Sequence, residues 1–411
     1  MASRSNSSKQ PKINLSGLGS FLRSPVKSSI FWFDRYFLHQ SKQFYRLVML
    51  VLLLVGFGLI TVLSSSNVVD IKQSGNPFSG VGSQLTFALI GLVAMVLLST
   101  RSVEWLESIS KLAFYLGIFG QLLVLVPGVG VSVGGNTNWI RILGQTLQPS
   151  EFLKIGLVLY LAHLLGHYKD ELWDFHTGAK QVMVAGFGAA GLVYLTSKDM
   201  GTALVFLVIV LGMTYLAGMP SQHFNKFLLL TLGGVLVGAL SSPSRVARII
   251  AFFQQGQSTV DGADWQVKHG IWALANGGLF GVGPGNSTLN WGWIPEVEND
   301  FIFANIAEEW GMLGGLLVLF CFLLLGKYIR NIAQNNNYAF ASLAATGVML
   351  WVLLQALINI AVVLHLLPVL GVPLPLISKG GSSIVAVLMA LGIVLAFERV
   401  QAPIASSARK R

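Results

Sequence analysis

Ten apolar runs, each close to the length needed to cross a lipid bilayer, constrain the fold of this chain more than any other feature. A transmembrane helix needs about 20 predominantly apolar residues. The runs therefore predict an all-α polytopic membrane protein with about ten transmembrane helices. They lie near residues 46–65, 83–100, 112–130, 151–167, 181–197, 201–218, 227–241, 301–326, 339–365 and 376–398.

The composition agrees with a chain that faces lipid. Of its 411 residues, 54% are hydrophobic and only 11% are charged, whereas soluble domains carry about 25% charged residues. The single cysteine, Cys321, excludes an intramolecular disulfide. A net charge of +10 could indicate nucleic-acid binding. However, the Lys and Arg residues cluster in the N-terminal tail and on one side of the spans, which is the positive-inside pattern of membrane proteins.

This charge pattern predicts that both termini are cytoplasmic. Residues 1–43 read as a basic, mostly disordered tail without a signal peptide, in which Phe31–Phe37 is expected to lie along the bilayer interface. Residues 44–400 form one transmembrane domain, and 401–411 form a second basic tail. A large extracytoplasmic loop, 242–300, is expected between helices 7 and 8.

Asp300 is the strongest catalytic candidate in the sequence, since it lies where this polar loop meets a long apolar run. Glu308 and Glu309 follow in the run, and Glu308 lies about 12 Å deeper at a rise of about 1.5 Å per residue. Carboxylates at membrane depth are costly and indicate function. An Asp that only caps the helix N-terminus is an equally weighted alternative.

Further charged residues are predicted on the outer side. Glu151 and Lys154 are three apart and share a helix face, which fits either a structural ion pair or a substrate contact. Asp199 follows the fifth span and either caps the sixth helix or lines an outward cleft. The cleft interpretation places Arg141, Lys154, Asp199 and Asp300 around one space.

Two outer segments have unusual backbone composition. The long loop contains Gln266 and a glycine-rich stretch, 277–287, which is weak evidence for a phosphate cradle. Residues 367–383 carry three prolines before Gly-Gly-Ser-Ser, which predicts irregular backbone that protein or water must cover. The free N–H groups of such a segment would suit an anionic headgroup, and close helix packing by small residues is the alternative.

Five motifs, in order and spacing, resemble the SEDS family (shape, elongation, division and sporulation). They are QPSEFLK, the turn ending in Asp-Met-Gly-Thr, GGLFGVGPGNS, PEVENDFIFANIAEE and LPVLGVPLPLISKGGSS. The resemblance spans about residues 46–400. The ITVLSSS stretch, the Asn299-Asp300 pair and the basic tails resemble the division member more than the elongation member.

The resemblance implies a peptidoglycan glycosyltransferase that polymerises lipid II during septal wall synthesis, with Asp300 as general base. Two positions depart from the family pattern: Lys198 replaces a common Pro, and Lys379 replaces a common Tyr. The expected substrate-binding residues are Arg141, Glu151, Lys154, Asp199, Gln266, Glu308, Lys379, Ser382 and Ser383.

The expected reaction moves a glycan from undecaprenyl pyrophosphate to the 4-hydroxyl of lipid II with inversion, by analogy with inverting glycosidases. Arg141, Lys154 and Lys379 are the cations expected to stabilise the leaving pyrophosphate. A divalent ion, Mg²⁺ or Mn²⁺, is a further possible contributor, although no ligand cluster demands one.

The resemblance also implies partners and a location. A class B penicillin-binding protein, which is an FtsI-like transpeptidase, and other divisome membrane proteins are expected at the septal cell membrane, because no soluble Ser-x-x-Lys domain is encoded. Two other functional classes stay open: a lipid II flippase, and a scaffold that recruits the transpeptidase.

Overall fold

A computed structural model describes residues 40–133, 136–142, 144–168, 174–254, 263–288 and 297–408. The predicted interfacial patch Phe31–Phe37 lies outside these ranges, and so do residues 255–262 and 289–296 of the long loop. Within them lie twelve α-helices: α1 Lys42–Ser74, α2 Ser79–Ser99, α3 Val103–Leu122, α4 Pro149–His167, α5 Lys180–Ser197, α6 Met200–Leu216, α7 Ser221–Leu240, α8 Pro243–Gln254, α9 Ala263–Gly277, α10 Ile302–Gln334, α11 Ala339–Val363 and α12 Gly381–Ala408.

The ten predicted spans correspond to α1–α7 and α10–α12, while α8 and α9 lie in the long loop. Eight of the described helices are long and apolar enough to cross a membrane, so the chain is a multi-pass membrane protein. The other two are α4, which carries Glu151 and Lys154 near its start, and α6, which has 17 residues. The count of ten crossings and their orientation stay predictions. We call the end of the bundle that carries Asp300 the outer end, after its predicted orientation.

The predicted third span, 112–130, has the wrong boundaries. Helix α3 begins at Val103, because Ser102 caps it by accepting a 3.3 Å hydrogen bond from the Trp105 N–H and Glu104 lies in the first turn. The helix ends at Leu122, and a short 3₁₀ turn, Leu123–Leu125, follows.

A small antiparallel sheet, which the sequence analysis treated as loop, joins α3 to α4. Its strands are β1 Gly130–Val133, β2 Asn136–Ile142 and β3 Gln145–Leu147, in the order β1-β2-β3. Gly130 pairs with Ile140, and Ile140 pairs with Leu147 across the second ladder. The backbone polar groups of this connection are therefore paired before the chain enters α4.

The core of the bundle lies around α12, which is buried on nearly all sides between Ser382 and Phe397. It packs along α2, while α4 packs along α3 and α11. Helix α1 runs antiparallel to α10, because Gln43 near the start of α1 donates to the Tyr328 carbonyl at 3.0 Å while the ring of Phe57 lies 5.7 Å from that of Trp310. The predicted last span, 376–398, starts too early, because regular helix begins only at Gly381.

Helix α10 is broken at Gly311, whose backbone has φ 69° and ψ −168°. The glycine-rich segment after α9 fills this break. The N–H groups of Val282 and Gly283 donate to the carbonyls of Glu308 and Glu309, both at 3.0 Å. In return, the Met312 N–H donates to the Gly278 carbonyl at 2.9 Å.

This exchange satisfies backbone groups that the break would otherwise leave unpaired at membrane depth.

The exchange also explains why this segment is rich in glycine. A Cβ at Gly281 would lie 2.2 Å from the Glu309 carbonyl oxygen, so the close approach requires glycine. The interpretation of residues 277–287 as a phosphate cradle is wrong for these N–H groups, because α10 accepts their hydrogen bonds.

Candidate active site

Segments from several helices meet at the outer end around one loop. We call residues 364–380, which join α11 to α12, the last loop. A Cβ at Gly201, in the first turn of α6, would lie 2.2 Å from the Leu370 carbonyl oxygen. Just beyond the last loop, Ser382 Oγ accepts a 2.9 Å hydrogen bond from the Gln148 N–H at the start of α4. The sequence motifs that begin α4, α6 and α10 therefore converge on this loop.

Asp300 is partly exposed at the end of the long loop. A Cβ placed on Gly371 would lie 3.6 Å from Asp300 Oδ2, so the carboxylate lies directly beside the loop backbone. The N-cap of α10 is Phe301, and this cap has no side-chain hydrogen bond. Asp300 thus lies one residue before the capping position of α10.

Glu151 and Lys154 form an ion pair beneath the last loop. Lys154 Nζ lies 2.8 Å from Glu151 Oε1 and donates to Gln355 Oε1 at 3.0 Å. It also lies 4.7 Å from the centroid of the Trp351 ring. Their side chains are only 2% (Lys154) and 3% (Glu151) exposed. This environment favours the structural ion pair over a direct substrate contact, which was the alternative left open by their spacing.

Asp199 caps α6, as one of its two interpretations predicted. Its carboxylate accepts hydrogen bonds from the Thr202 N–H at 2.9 Å and the Thr202 hydroxyl at 2.7 Å, and from Asn138 Nδ2 at 3.0 Å. Burial raises the pKa of Asp199 above its ordinary range, against the effect of the Thr202 hydrogen bonds and of the Lys154 charge.

Lys198, one of the two departures from the family pattern, ends α5 in the left-handed region with φ 54°. Its N–H donates to the Tyr194 carbonyl at 2.8 Å. Proline has φ near −65° and no N–H, so this turn cannot accommodate the residue common in the family. Arg245 of α8 braces the turn by donating to the Lys198 carbonyl and, at 2.8 Å, to the Tyr194 hydroxyl.

Lys379, the second departure, lies between two carboxylates. Its Nζ is 3.5 Å from Glu298 Oε1 and 3.7 Å from Asp70 Oδ1. Asp70 also accepts from the Ser66 hydroxyl at 2.8 Å and from the Gly80 N–H at 2.9 Å. The carboxylates of Asp70 and Glu298 thus partly neutralise the positive charge of Lys379.

Glu308 is fully buried at the break of α10 and ties that helix to the long loop. It accepts from Asn276 Nδ2 at 2.9 Å, from the Thr288 hydroxyl at 2.6 Å and from the Ser287 hydroxyl. Glu309, the next residue, accepts from the Ser64 hydroxyl of α1. These contacts give both carboxylates a role within the protein.

The other predicted site residues lie apart from this cluster or within the packing. Arg141 is exposed on β2, with its N–H bonded to the Val129 carbonyl at 2.9 Å. Gln266 lies on α9, at partial exposure. Ser382 and Ser383 are buried at the start of α12. The predicted cleft around Arg141, Lys154, Asp199 and Asp300 is therefore only partly formed, because Lys154 is enclosed and Arg141 faces outward.

A cavity of about 290 Å³ lies on the α6 side of the last loop. It is largely apolar, and its charged lining consists of three basic residues, Lys198, Arg245 and Arg248, and one acidic residue, Asp199. Apolar residues of α6 and α7 and residues 367–370 of the last loop line it. An apolar space whose charged lining is mainly basic suits a lipid that has an anionic headgroup.

The sequence analysis did not identify the polar residues of the transmembrane helices that hold the last loop in place. Gln355, Asn359 and Gln84 lie inside apolar runs and hydrogen-bond to the last loop. Their presence in otherwise apolar spans was the available signal, since polar residues in transmembrane helices usually find partners. Among the described residues, no group of three or more His, Cys, Asp or Glu could bind a metal ion.

Comparison with known proteins decides the family. The family model FTSW_RODA_SPOVE, described as "Cell cycle protein", matches residues 45–402. The chain belongs to this family. The resemblance to the SEDS family is thereby confirmed over nearly the whole membrane domain.

Individual relatives agree with this assignment. The chain is 35% identical over 354 residues to stage V sporulation protein E of Bacillus subtilis, covering 86% of this chain and 96% of that protein. It is 34% identical over 352 residues to the probable peptidoglycan glycosyltransferase FtsW of Coxiella burnetii, covering 85% of this chain and 94% of the relative.

Solved structures share the fold. A chain from the structure described as "Structural coordination of polymerization and crosslinking by a peptidoglycan synthase complex" has a TM-score of 0.71 at 26% identity, covering 87% of this chain and 98% of that one. RodA of Thermus thermophilus has a TM-score of 0.63 at 26% identity, covering 88% and 98%. The helical arrangement is therefore that of the family.

Proposed function

We propose that this chain is a peptidoglycan glycosyltransferase that polymerises lipid II during septal wall synthesis, with Asp300 as general base. The observation that carries the proposal is the placement of Asp300. Its carboxylate is partly exposed beside the last loop at the outer end, whereas Glu151 and Glu308 are enclosed. Relatives that match most of this chain are named as such enzymes.

The chemistry requires a base at this point. The 4-hydroxyl of the acceptor sugar attacks the anomeric carbon of the donor glycan, and the bond from that carbon to the pyrophosphate oxygen breaks. An alcohol is a weak nucleophile, so a carboxylate that takes its proton contributes typically about 10²–10⁴-fold. The proton goes to Asp300, the electron pair leaves with the pyrophosphate, and the anomeric centre inverts.

The cavity beside the last loop is the proposed seat of the isoprenoid carrier. Its apolar wall on α6 and α7 would contact the lipid chain, and Lys198 and Arg248 would face the pyrophosphate. This assignment replaces Lys154 as the leaving-group cation, since Lys154 is paired with Glu151 inside the protein. Arg141 and Lys379 remain candidates for longer-range attraction of the headgroup.

A divalent cation is proposed to enter with the pyrophosphate rather than to reside on the protein. Asp70 and Glu298 converge on Lys379, whose ammonium group already supplies positive charge there. Such an ion would neutralise pyrophosphate oxygens as the leaving group departs.

The partner and location follow from the same proposal. A solved neighbour of this fold belongs to a peptidoglycan synthase complex that coordinates polymerization and crosslinking. We therefore propose a class B penicillin-binding protein as the transpeptidase partner, with other divisome membrane proteins at the septum. The substrates are lipid II and the glycan linked to undecaprenyl pyrophosphate.

The flippase alternative receives less support from the same geometry. Translocation of a charged headgroup needs polar surface accessible from both sides of the membrane. The ion pair of Glu151 with Lys154 and the cluster around Glu308 both lie toward the outer end and are closed by protein partners.

Purified protein in liposomes that contain lipid II separates the three classes. The wild-type protein, tested with and without the partner transpeptidase, is expected to yield glycan polymer on a gel. Translocation of lipid II without polymer would favour the flippase. Neither activity, with the partner still binding tightly, would favour the scaffold.

A further inference from the structure

Three consecutive backbone carbonyls at the end of the long loop each accept a hydrogen bond from outside that loop. The Lys379 N–H donates to the Glu298 carbonyl at 2.8 Å. The Ser378 hydroxyl donates to the Asn299 carbonyl at 2.6 Å, and Asn359 Nδ2 donates to the Asp300 carbonyl at 2.8 Å. We call these three contacts the carbonyl clamp.

The donors of the clamp are themselves fixed to the bundle. Gln84 of α2 joins both sides of Lys379, because its Nε2 donates to the Ser378 carbonyl at 3.1 Å and its Oε1 accepts from the Gly380 N–H at 3.0 Å. The Ser378 hydroxyl accepts in turn from the Leu374 N–H at 2.8 Å. The position of Ser378 is thereby set by α2 and by the turn it closes.

Helix α11 provides the second anchor. Asn359 Nδ2 donates to the Val372 carbonyl at 2.8 Å in addition to the Asp300 carbonyl. One turn away, Gln355 Nε2 donates to the Pro373 carbonyl at 3.0 Å. The side chain of Asn359 is 1% exposed, so water does not compete for these bonds.

The clamp joins the backbone at Asp300 to transmembrane helices α2 and α11. A base must lie within hydrogen-bond reach of the proton that it removes, and a displacement of about 1 Å can reduce the rate about 100-fold. The helix bundle thus sets the distance between the Asp300 carboxylate and the acceptor hydroxyl, and the rate of general base catalysis depends strongly on this distance.

We propose that Asn359 and Ser378 are positioning residues of the glycosyl transfer, which hold the backbone of residues 298–300 so that the Asp300 carboxylate meets the acceptor hydroxyl. This inference rests on the proposed function. In this mechanism, neither Asn359 nor Ser378 contacts the substrate. Their removal is expected to slow the chemical step and to leave binding of lipid II unchanged.

Kinetic measurements on Ser378→Ala and Asn359→Leu test this assignment. Each variant removes a clamp donor without adding charge, and each is expected to lower kcat about 10- to 100-fold at an unchanged KM for lipid II. Ser378→Thr, which keeps the hydroxyl, is expected to recover most of the rate. Ser108→Ala removes a comparable hydroxyl–carbonyl bond at an exposed position on α3 and serves as the control.

A structural readout keeps the test independent of activity. Amide hydrogen exchange of the peptide covering 297–304 is expected to accelerate in both clamp variants and to stay at the wild-type rate in Ser108→Ala. Wild-type exchange in the clamp variants would overturn the inference, and so would a raised KM at wild-type kcat.

The failure of the clamp can be told apart from the failure of the proposed function. If Asp300→Asn is inactive and the clamp variants keep the wild-type kcat, the positioning role of the clamp is rejected and the proposed function stands. A fully active Asp300→Asn would remove Asp300 as the base, and the clamp would then lose its catalytic meaning even if exchange accelerates.

Discussion

At the scale of single residues, the site separates carboxylates that can react from carboxylates that stabilise the fold. Asp300 is partly exposed, while Glu151 and Glu308 are buried with hydrogen-bond or ionic partners. A buried charge without a partner costs several kcal/mol. The pairing of Glu151 with Lys154 is thus a condition for placing either residue inside the bundle.

Lys154→Met is predicted to destabilise the protein by about 3–5 kcal/mol, because it leaves the Glu151 charge buried and unpaired. The side chain of Met preserves apolar contact with Trp351 but not the ionic bond. Thermal unfolding in detergent measures the loss. Adding Glu151→Gln to Lys154→Met is predicted to restore much of it, which a double-mutant cycle would quantify.

The opposite result would revive the substrate-contact interpretation of Lys154. In that result, the Lys154→Met protein unfolds at the wild-type temperature but has a raised KM for lipid II. In that case the ion pair would contribute little to folding, and Lys154 would have to reach the substrate.

At the scale of elements, the decisive feature is the break in α10. Its two halves exchange hydrogen bonds with the segment 277–283, which makes the long loop part of the membrane domain at this depth. The segment after α9 is thereby joined to the helix that begins just after Asp300. The sequence showed the glycines but not their partner, since the pairing joins residues about 30 positions apart.

Gly311→Ala is predicted to be strongly destabilising. The φ and ψ of Gly311 are almost exclusive to glycine, at a cost of about 1–3 kcal/mol for other residues. A Cβ there would also lie 2.4 Å from the Gly281 nitrogen. The measurement is the thermal unfolding temperature.

Gly233→Ala is the matched control on α7, where an added Cβ would meet no atom within 4 Å. Alanine is favoured over glycine inside a helix, so this variant is predicted to keep or slightly raise the unfolding temperature. Equal stability of the two variants would contradict the account of the break.

At the scale of the whole molecule, the apolar runs were sufficient to predict the helical class and the approximate place of each span. Boundaries failed where local chemistry overrides hydropathy, as at the Ser102 cap and at the irregular residues before Gly381. The sheet after α3 was missed because its short strands lack a strong alternating pattern.

The candidate site was predictable as a set of residues but not as an arrangement. Spacing placed Glu151 and Lys154 on one face, yet it could not show that Gln355 and Trp351 enclose them. The role of Lys379 likewise depends on Asp70 and Glu298, which come from distant parts of the chain. Long-range convergence of this kind follows from helix packing, which single-sequence patterns do not encode.

The most direct test of the account is lipid II polymerisation by Asp300→Asn, purified with the partner transpeptidase and compared with the wild-type protein on a glycan gel. Glu104→Gln, the same carboxylate-to-amide change at an exposed site on α3, is the control. The account predicts polymer from the wild-type and control proteins and a loss of about 10²-fold or more in Asp300→Asn, with an unchanged unfolding temperature. Polymerisation at the wild-type rate by a folded Asp300→Asn would contradict the assignment of Asp300 as the base.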